Sequence, residues 1–371
     1  MAAPTLWLLA RHYPPAVSGG ARRPFLLAKG LRERGWDVRV IAPSLPEGEA
    51  GLVAPHPNRD PATAPGAGGF SLRNTAREIL LWPDADIRWC MRAARAATAG
   101  LPKPDWIMTT SPPESIHCAG LWLKRRTGAR WLADFRDHWL ERPLRSERER
   151  WWRRAGEQVI ARRLLRAADA ITTVDPVIAA EMRRLGARSP YVLPHFAPPP
   201  VNAEALPAET INVVHTGSIS ISDPQRRLGA LLEPLERAAP QNPQLRFHFI
   251  GRLSDEEQRA LGASPARGQI VLHGVIPFER SLAIQTGADA LIFVGAPQMH
   301  VPPGKIVEYL ALDKPIIACG EGAWRADPRV PKGDPADALA TLRKGQSGNP
   351  SLPRPPTAAA AAAQLAAILG Q

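Results

Sequence analysis

The stretch from Thr5 to Ala42, TLWLLARHYPPAVSGGARRPFLLAKGLRERGWDVRVIA, decides the fold. Thr5 to Ala10 is a compact apolar run of strand length. A loop holding Gly19 and Gly20 follows, and then Phe25, Leu26, Leu27 and Leu31 recur at helical spacing, with Gly35 placed to end the helix. Asp37 to Ala42 alternates into a second strand. Strand, glycine loop, helix and strand in so short a stretch form a βαβ unit, the opening of an alternating α/β domain.

The pattern continues outward from that unit. Trp106 to Thr109, Arg130 to Ala133 and Ala170 to Val174 read as strands. Ser111-Pro112-Pro113-Glu114 reads as a capping box, and Asp175-Pro176 as a second helix start. His195 to Thr210 holds four prolines and little hydrophobic periodicity, which marks a linker. A second βα series follows, with strands at Ile211 to His215, Leu245 to Ile250, Ile270 to His273, Ala288 to Val294 and Pro315 to Ala318. Its helices are expected at Arg227 to Ala238, Phe278 to Thr286 and Lys305 to Leu312. The expected organisation is a Rossmann-like domain over 1–195, a linker over 196–210, a second Rossmann-like domain over 211–345, and a C-terminal loop and helix over 346–371. Two doubly wound halves of this kind place a cleft between the carboxyl ends of their sheets, where ligands bind.

Composition narrows the function classes. The chain has 371 residues, and 47 Lys plus Arg against 35 Asp plus Glu leave a net charge of +12, which favours polyanionic or membrane-surface partners. Three scattered cysteines offer neither a disulfide framework nor a CxxC metal site, and suit a reducing cytoplasm. The run Met1 to Ala10 has no basic residue before it and reads as neither signal peptide nor anchor. Membrane association is expected to be peripheral, because no apolar stretch is long enough to span a bilayer.

Several motifs carry chemistry. The Tyr13 to Gly20 loop matches neither GxGxxG nor GxxxxGK[ST], which disfavours ordinary dinucleotide and NTP sites. Gly304 and Lys305 stand at an expected helix start, where amides and an ammonium suit a diphosphate. Glu308 lies one turn in and could accept both ribose hydroxyls. Asp84-Ala85-Asp86 reads as helix capping rather than as a metal pair. Glu141 to Arg166 holds nine Arg against four Glu with Trp151-Trp152 interleaved, a composition suited to anionic headgroups.

Tyr13-Pro14-Pro15 with Gly19-Gly20, followed by LRERGWDVRVIA, resembles the opening of glycosyltransferase family 4 enzymes of the GT-B fold. Pro303-Gly304-Lys305 through Glu308-Tyr309-Leu310 to Lys314-Pro315-Ile316-Ile317 resembles that family's nucleotide-sugar signature. Trp82-Pro83-Asp84, Thr110-Ser111-Pro112-Pro113 and Arg136-Asp137-His138-Trp139 resemble its bacterial envelope-polysaccharide (exopolysaccharide) branch, which carries an Arg-Asp-x-Trp motif.

The resemblance implies two Rossmann-like domains facing a central cleft, and transfer of a sugar from a nucleotide-diphosphate donor to an acceptor hydroxyl with retention. It implies that Glu308 holds the ribose, that Gly304 and Lys305 face the diphosphate, and that Gly19 and Gly20 close from the other domain. Ser218 stands where the family's arginine is common, and Arg226 or Arg227 could supply the second cation. His300 replaces the first glutamate of the family's pair. Backbone around Val275 and Ile276 is expected to contact the base. Asp137 and Arg136 fall where members carry an active-site histidine, and His117 is the other catalytic candidate. No metal or other cofactor is expected, since amides and cations stabilise the leaving group.

The expected partners are a nucleotide sugar, a glycan or lipid-linked acceptor, and an anionic membrane surface at 141–166. Nucleic acid is not expected, because no recognised binding pattern is present. Ser218 and His300 leave open a GT-B nucleotide-sugar epimerase or an inactive GT-B binding protein.

Overall fold

The computed structural model describes residues 3–16, 20–57, 82–141, 151–299 and 304–370. They divide into two compact units, Met1–Pro194 with Ala358–Gln371, and His195–Thr357. The expected linker thus clusters with the second unit, and the last helix returns to the first.

The first unit runs β1 (Thr5–Ala10), α1 (Arg22–Arg32), β2 (Asp37–Ala42), β3 (Gly51–Val53), α2 (Ile87–Gly100), β4 (Trp106–Ser111) and α3 (Ser115–Thr127). It continues with β5 (Arg130–Phe135), α4 (Trp151–Ala167), β6 (Ala170–Thr173), α5 (Pro176–Arg184) and β7 (Tyr191–Val192). All seven strands are parallel, in the order β3-β2-β1-β4-β5-β6-β7. The order reverses between β1 and β4, with Ala10 opposite Thr110, so the carboxyl ends of these two strands flank the switch point. Trp7, Leu9, Trp89, Trp131 and Phe135 fill the core over one face. The near-continuous apolar strands follow from a parallel sheet covered on both sides.

The second unit runs β8 (Ile211–Thr216), α6 (Gly229–Ala238), β9 (Leu245–Ile250), α7 (Asp255–Ala263), β10 (Ile270–Gly274), α8 (Phe278–Gly287), β11 (Ala290–Val294), α9 (Lys305–Leu310), β12 (Ile316–Cys319) and α10 (Pro335–Ala340). Its five parallel strands are ordered β10-β9-β8-β11-β12, and the switch point lies between β8 and β11.

The final helix, α11 (Ala358–Leu369), packs on α1. Its alanines explain how: a Cβ at Gly30 would stand 2.5 Å from the Ala362 Cβ, so two small residues let the helices approach closely. Gln364 then donates to the Val192 carbonyl at 2.9 Å.

Helix starts followed sequence unevenly. Asp175 caps α5 as expected, its carboxylate accepting from Val177 N at 2.9 Å with Pro176 in the first turn. The expected Ser111 to Glu114 box is not formed: α3 begins at Ser115, and Glu114 at its N-cap makes no side-chain cap bond. Asp84 does that work from 31 residues upstream, accepting from Ser115 N at 2.8 Å and Ser115 Oγ at 2.6 Å. Capping was the correct role for Asp84, but on α3 rather than on the helix that follows it. Asp86 bonds His56 at 2.9 Å and pairs with Arg11 at 3.4 Å.

Candidate functional site

In the first unit, the switch point is lined by polar groups that hold one another. Asp134, the fifth residue of β5, is fully buried and accepts from Thr110 and Thr172 Oγ1, each at 2.8 Å. Arg23, from α1, adds bonds to both its oxygens at 3.2 and 3.5 Å, and also donates to the Leu193 and Pro194 carbonyls at 2.8 and 2.9 Å. Burial alone would raise the Asp134 pKa, but the Arg23 charge and these hydrogen bonds hold it below its usual value. A buried charge is tolerable only when paired and bonded in this way.

Arg136 is buried beside this cluster. Its Nε donates to the Ser111 carbonyl at 2.6 Å and its Nη1 donates to the Gly20 carbonyl. A Cβ on Gly20 would stand 3.0 Å from Arg136 Nη1, so the glycine permits the guanidinium to lie against the β1–α1 loop. Arg136 therefore ties the loop after β1 to the loop after β4. Asp137, next in sequence, is exposed, and desolvation by the surrounding protein raises its carboxyl pKa against the pull of Arg136 and His138. A carboxyl held in that state at a strand's carboxyl end is a candidate proton carrier.

His138 turns away, its Nδ1 2.6 Å from Glu181 Oε2, while Glu181 Oε1 accepts from Leu140 N at 2.7 Å. Burial would lower the His138 pKa, but the Glu181 bond and charge raise it overall. Glu141 lies close enough for the three to be considered as metal ligands, yet Arg184 already engages both its oxygens, at 2.8 and 2.7 Å.

His117 is not placed for catalysis. It is wholly buried, its ring 4.2 Å from Phe135 and 6.4 Å from both Trp131 and Trp139, and its Nδ1 is 2.9 Å from Thr109 Oγ1. Burial drives its pKa down to about 3, so it is a neutral core residue. Sequence reading missed His12 instead. It follows β1 directly, and burial and the charges of Arg136 and Arg11 lower its pKa to about 4.

In the second unit, Gly217 ends β8 with φ +98, a left-handed conformation that suits glycine. A Cβ there would stand 3.2 Å from Lys305 Cε and 3.9 Å from its Nζ, which places the ammonium against the carboxyl end of β8. Gly304 is the N-cap of α9, and Glu308 lies 3.9 Å from Lys305, both side chains partly exposed. Arg226 is half-buried, 3.8 Å from Asp223 and 3.9 Å from Met299 Sδ. Desolvation lowers its pKa against the pull of Asp223. Arg227 is exposed, so of the two arginines only Arg226 is turned partly inward.

His215 lies beneath these groups, Nδ1 3.0 Å from the Ile292 carbonyl. Burial first, with the charges of Lys305 and Arg226 also acting, lowers its pKa to about 4. The loop after β8 is held by Glu257, whose Oε1 accepts from Ser220 N at 2.9 Å while its Oε2 closes a capping box with Ser254. Ser254-x-x-Glu257 was a legible signal for that helix start; its reach to Ser220 was not.

Ser218 is half-buried on the same loop. Val275, 61% exposed, and half-buried Ile276 follow β10, the edge strand two places from β8 across β9. Gly19 and His300 lie outside the described residues, as do 142–150 of the basic segment. No described helix is long and apolar enough to cross a membrane.

Comparison with known proteins bears on this arrangement. Residues 18–194 match the family model described as Glycosyl transferase 4-like domain. No curated protein sequence matches the chain significantly. Among solved structures it is similar to sucrose-phosphate synthase from Thermosynechococcus elongatus, at 19% identity over 91% of this chain and 88% of that one, with a TM-score of 0.60. It is similar also to a putative UDP-N-acetylglucosamine 2-epimerase from Listeria monocytogenes, at 10% identity over 99% and 95%, TM-score 0.58. HepE from Anabaena, solved in complex with UDP, aligns at 13% identity over 99% and 90%, TM-score 0.52. Residues 18–194 thus match a Glycosyl transferase 4-like domain, and with a Rossmann-like sheet in each unit the chain has the GT-B fold.

Proposed function

We propose that the protein is a retaining glycosyltransferase that moves a hexosyl or related sugar from a nucleotide-diphosphate donor to an acceptor hydroxyl. The acceptor is a lipid-linked or envelope-glycan intermediate of polysaccharide biosynthesis, met in the cytoplasm at the inner face of the membrane. One observation supports the donor assignment: Lys305 lies against Gly217 at the carboxyl end of β8, beside the switch point of the second sheet, and the charges of both Lys305 and Arg226 act on His215 of that strand.

Negative charge develops on the diphosphate as the glycosidic bond breaks. Two cations already in place stabilise it without reorganisation, so we assign no metal to the reaction. Glu308, one turn into α9, takes the ribose hydroxyls, as the resemblance to family 4 implies. Val275 and Ile276 face the base, and Gly304 with Ser218 completes the phosphate side. Asp137 orients or deprotonates the acceptor hydroxyl. Arg136 acts by holding the loop that contains Gly20, and Gly19 and His300 keep the donor-side roles the family pattern implies.

Calorimetric titration of UDP and GDP tests the donor site. A Lys305→Ala change is expected to weaken binding by at least tenfold, and an unaltered affinity would remove Lys305 from it. Turnover of nucleotide sugars with and without a glycan acceptor tests the reaction. Asp137→Asn should lower turnover while leaving UDP affinity unchanged. Conversion of the sugar without an acceptor would favour an epimerase, and the absence of any nucleotide binding would end the enzyme reading.

A further inference from the structure

The outward face of α4 joins apolar and cationic side chains that the donor site does not use. Trp151 is 81% exposed and Val159 65% exposed. Arg154, Arg162, Arg163 and Arg166 are exposed with them, and among the described residues none of the four makes an ion pair. At about 100° per residue, Trp151, Ala155, Arg162 and Arg166 fall within roughly 60° of one another, flanked by Arg154 and Val159. The opposite face buries Glu157, Ala161, Leu164 and Leu165.

The helix cannot roll to hide the exposed side. A Cβ on Gly156 would stand 1.8 Å from Trp82 Cη2, so the edge of the Trp82 ring packs directly against the backbone of α4. Arg153 Nη2 also donates to the Pro83 carbonyl at 2.9 Å, and Trp82 meets Trp152 edge-on at 6.5 Å. The Trp82-Pro83 segment, which no part of the donor chemistry requires, fixes the orientation of α4.

We infer that this face of α4 docks on an anionic lipid bilayer. An indole 81% exposed at one end, an exposed valine two turns on and four arginines that make no ion pair among the described residues match the headgroup boundary. There the arginines meet lipid phosphates and carboxylates, while Trp151 and Val159 enter the acyl edge. Arginine stems lie along apolar surface with their charged heads outward, which suits the same boundary. The apolar component separates this surface from a purely electrostatic one.

The test is co-sedimentation of the full chain with vesicles of phosphatidylcholine alone or with a quarter phosphatidylglycerol. Binding is expected to the anionic vesicles only, and to weaken as salt shortens the Debye length. Each arginine near the surface contributes roughly fivefold to partitioning, so Arg162→Glu with Arg163→Glu should lower it by more than tenfold. Trp151→Ser should lower it severalfold at unchanged charge. Equal binding of both vesicle types, no binding, or insensitivity to Trp151→Ser would each overturn the inference. So would capture of a single-stranded oligonucleotide that displaces the vesicles and is lost in the same variants. UDP titration of the variants reads the donor site separately, so failure here and failure there are distinguishable.

Discussion

The two switch points are built on the same topology and use their cations in opposite ways. In the first unit, Arg23 and Arg136 are buried and committed to Asp134, to the Gly20 and Ser111 carbonyls and to the end of β7. In the second, Lys305 and Arg226 remain partly exposed, and their ion pairs are long, at 3.9 and 3.8 Å. A cation whose bonds are satisfied by the fold contributes to stability and loop position. One with weak, partly solvated partners can exchange them for a diphosphate. The difference fits the proposed anion site in the second unit, while in the first the cations hold a loop in place.

The strongest way to break this comparison is at Asp134. Asp134→Ala leaves Arg23 buried without its carboxylate and should destabilise the protein by about 3–5 kcal/mol in urea denaturation. Lys305→Ala should cost no more than about 0.5 kcal/mol in the same measurement. If the two losses were similar, the division between structural and ligand-facing cations would be wrong.

Acid probes what both regions share, a buried neutral histidine. His117 and His215 have folded pKa values of about 3 and about 4, below the 6.5 of the unfolded chain. Their contribution is complete above pH 6.5. It falls away as pH drops, because the unfolded state binds protons first, and is spent near pH 4 for His215 and pH 3 for His117. Fully expressed, the shift is worth about 3 kcal/mol for His215 and about 5 kcal/mol for His117. Denaturation curves between pH 4 and 8 should show this slope, and His215→Gln should flatten it.

Binding sharpens the comparison further. Loss of a charge-assisted bond at Lys305 or Arg226 costs about 1.5–3 kcal/mol, or roughly 10–100-fold in Kd for UDP. Arg227→Ala, which removes only a solvated charge, should leave the affinity within about twofold. At Asp84 binding and stability separate: Asp84→Ala removes the cap of α3 and should cost about 1 kcal/mol of stability without altering UDP binding.

The candidate site was partly legible. Lys305, Gly304 and Glu308 form a contiguous motif on one short helix, and Arg136-Asp137 another at the end of β5, so adjacency made them visible. His117 misled because a histidine on a helix looks the same whether its ring faces a ligand or Phe135. The buried cluster around Asp134 was not legible from its neighbours Arg136 and Asp137 because its partners, Arg23, Thr110 and Thr172, are scattered along the chain. Glu257 was readable as a capping residue, but not as the anchor of Ser220, 37 residues away.

By itself, the sequence determined the longer strands, most helices and the two Rossmann-like halves, because hydrophobic period and local breakers act over a few residues, while β3 and β7, of three and two residues, are too short to carry a period. Only the tertiary structure decided that Arg226 rather than Arg227 turns inward, that Asp84 caps α3, that α11 joins the first unit, and that Trp82 fixes the face α4 presents. Each of those depends on contacts between distant segments, which close packing selects and no local pattern encodes.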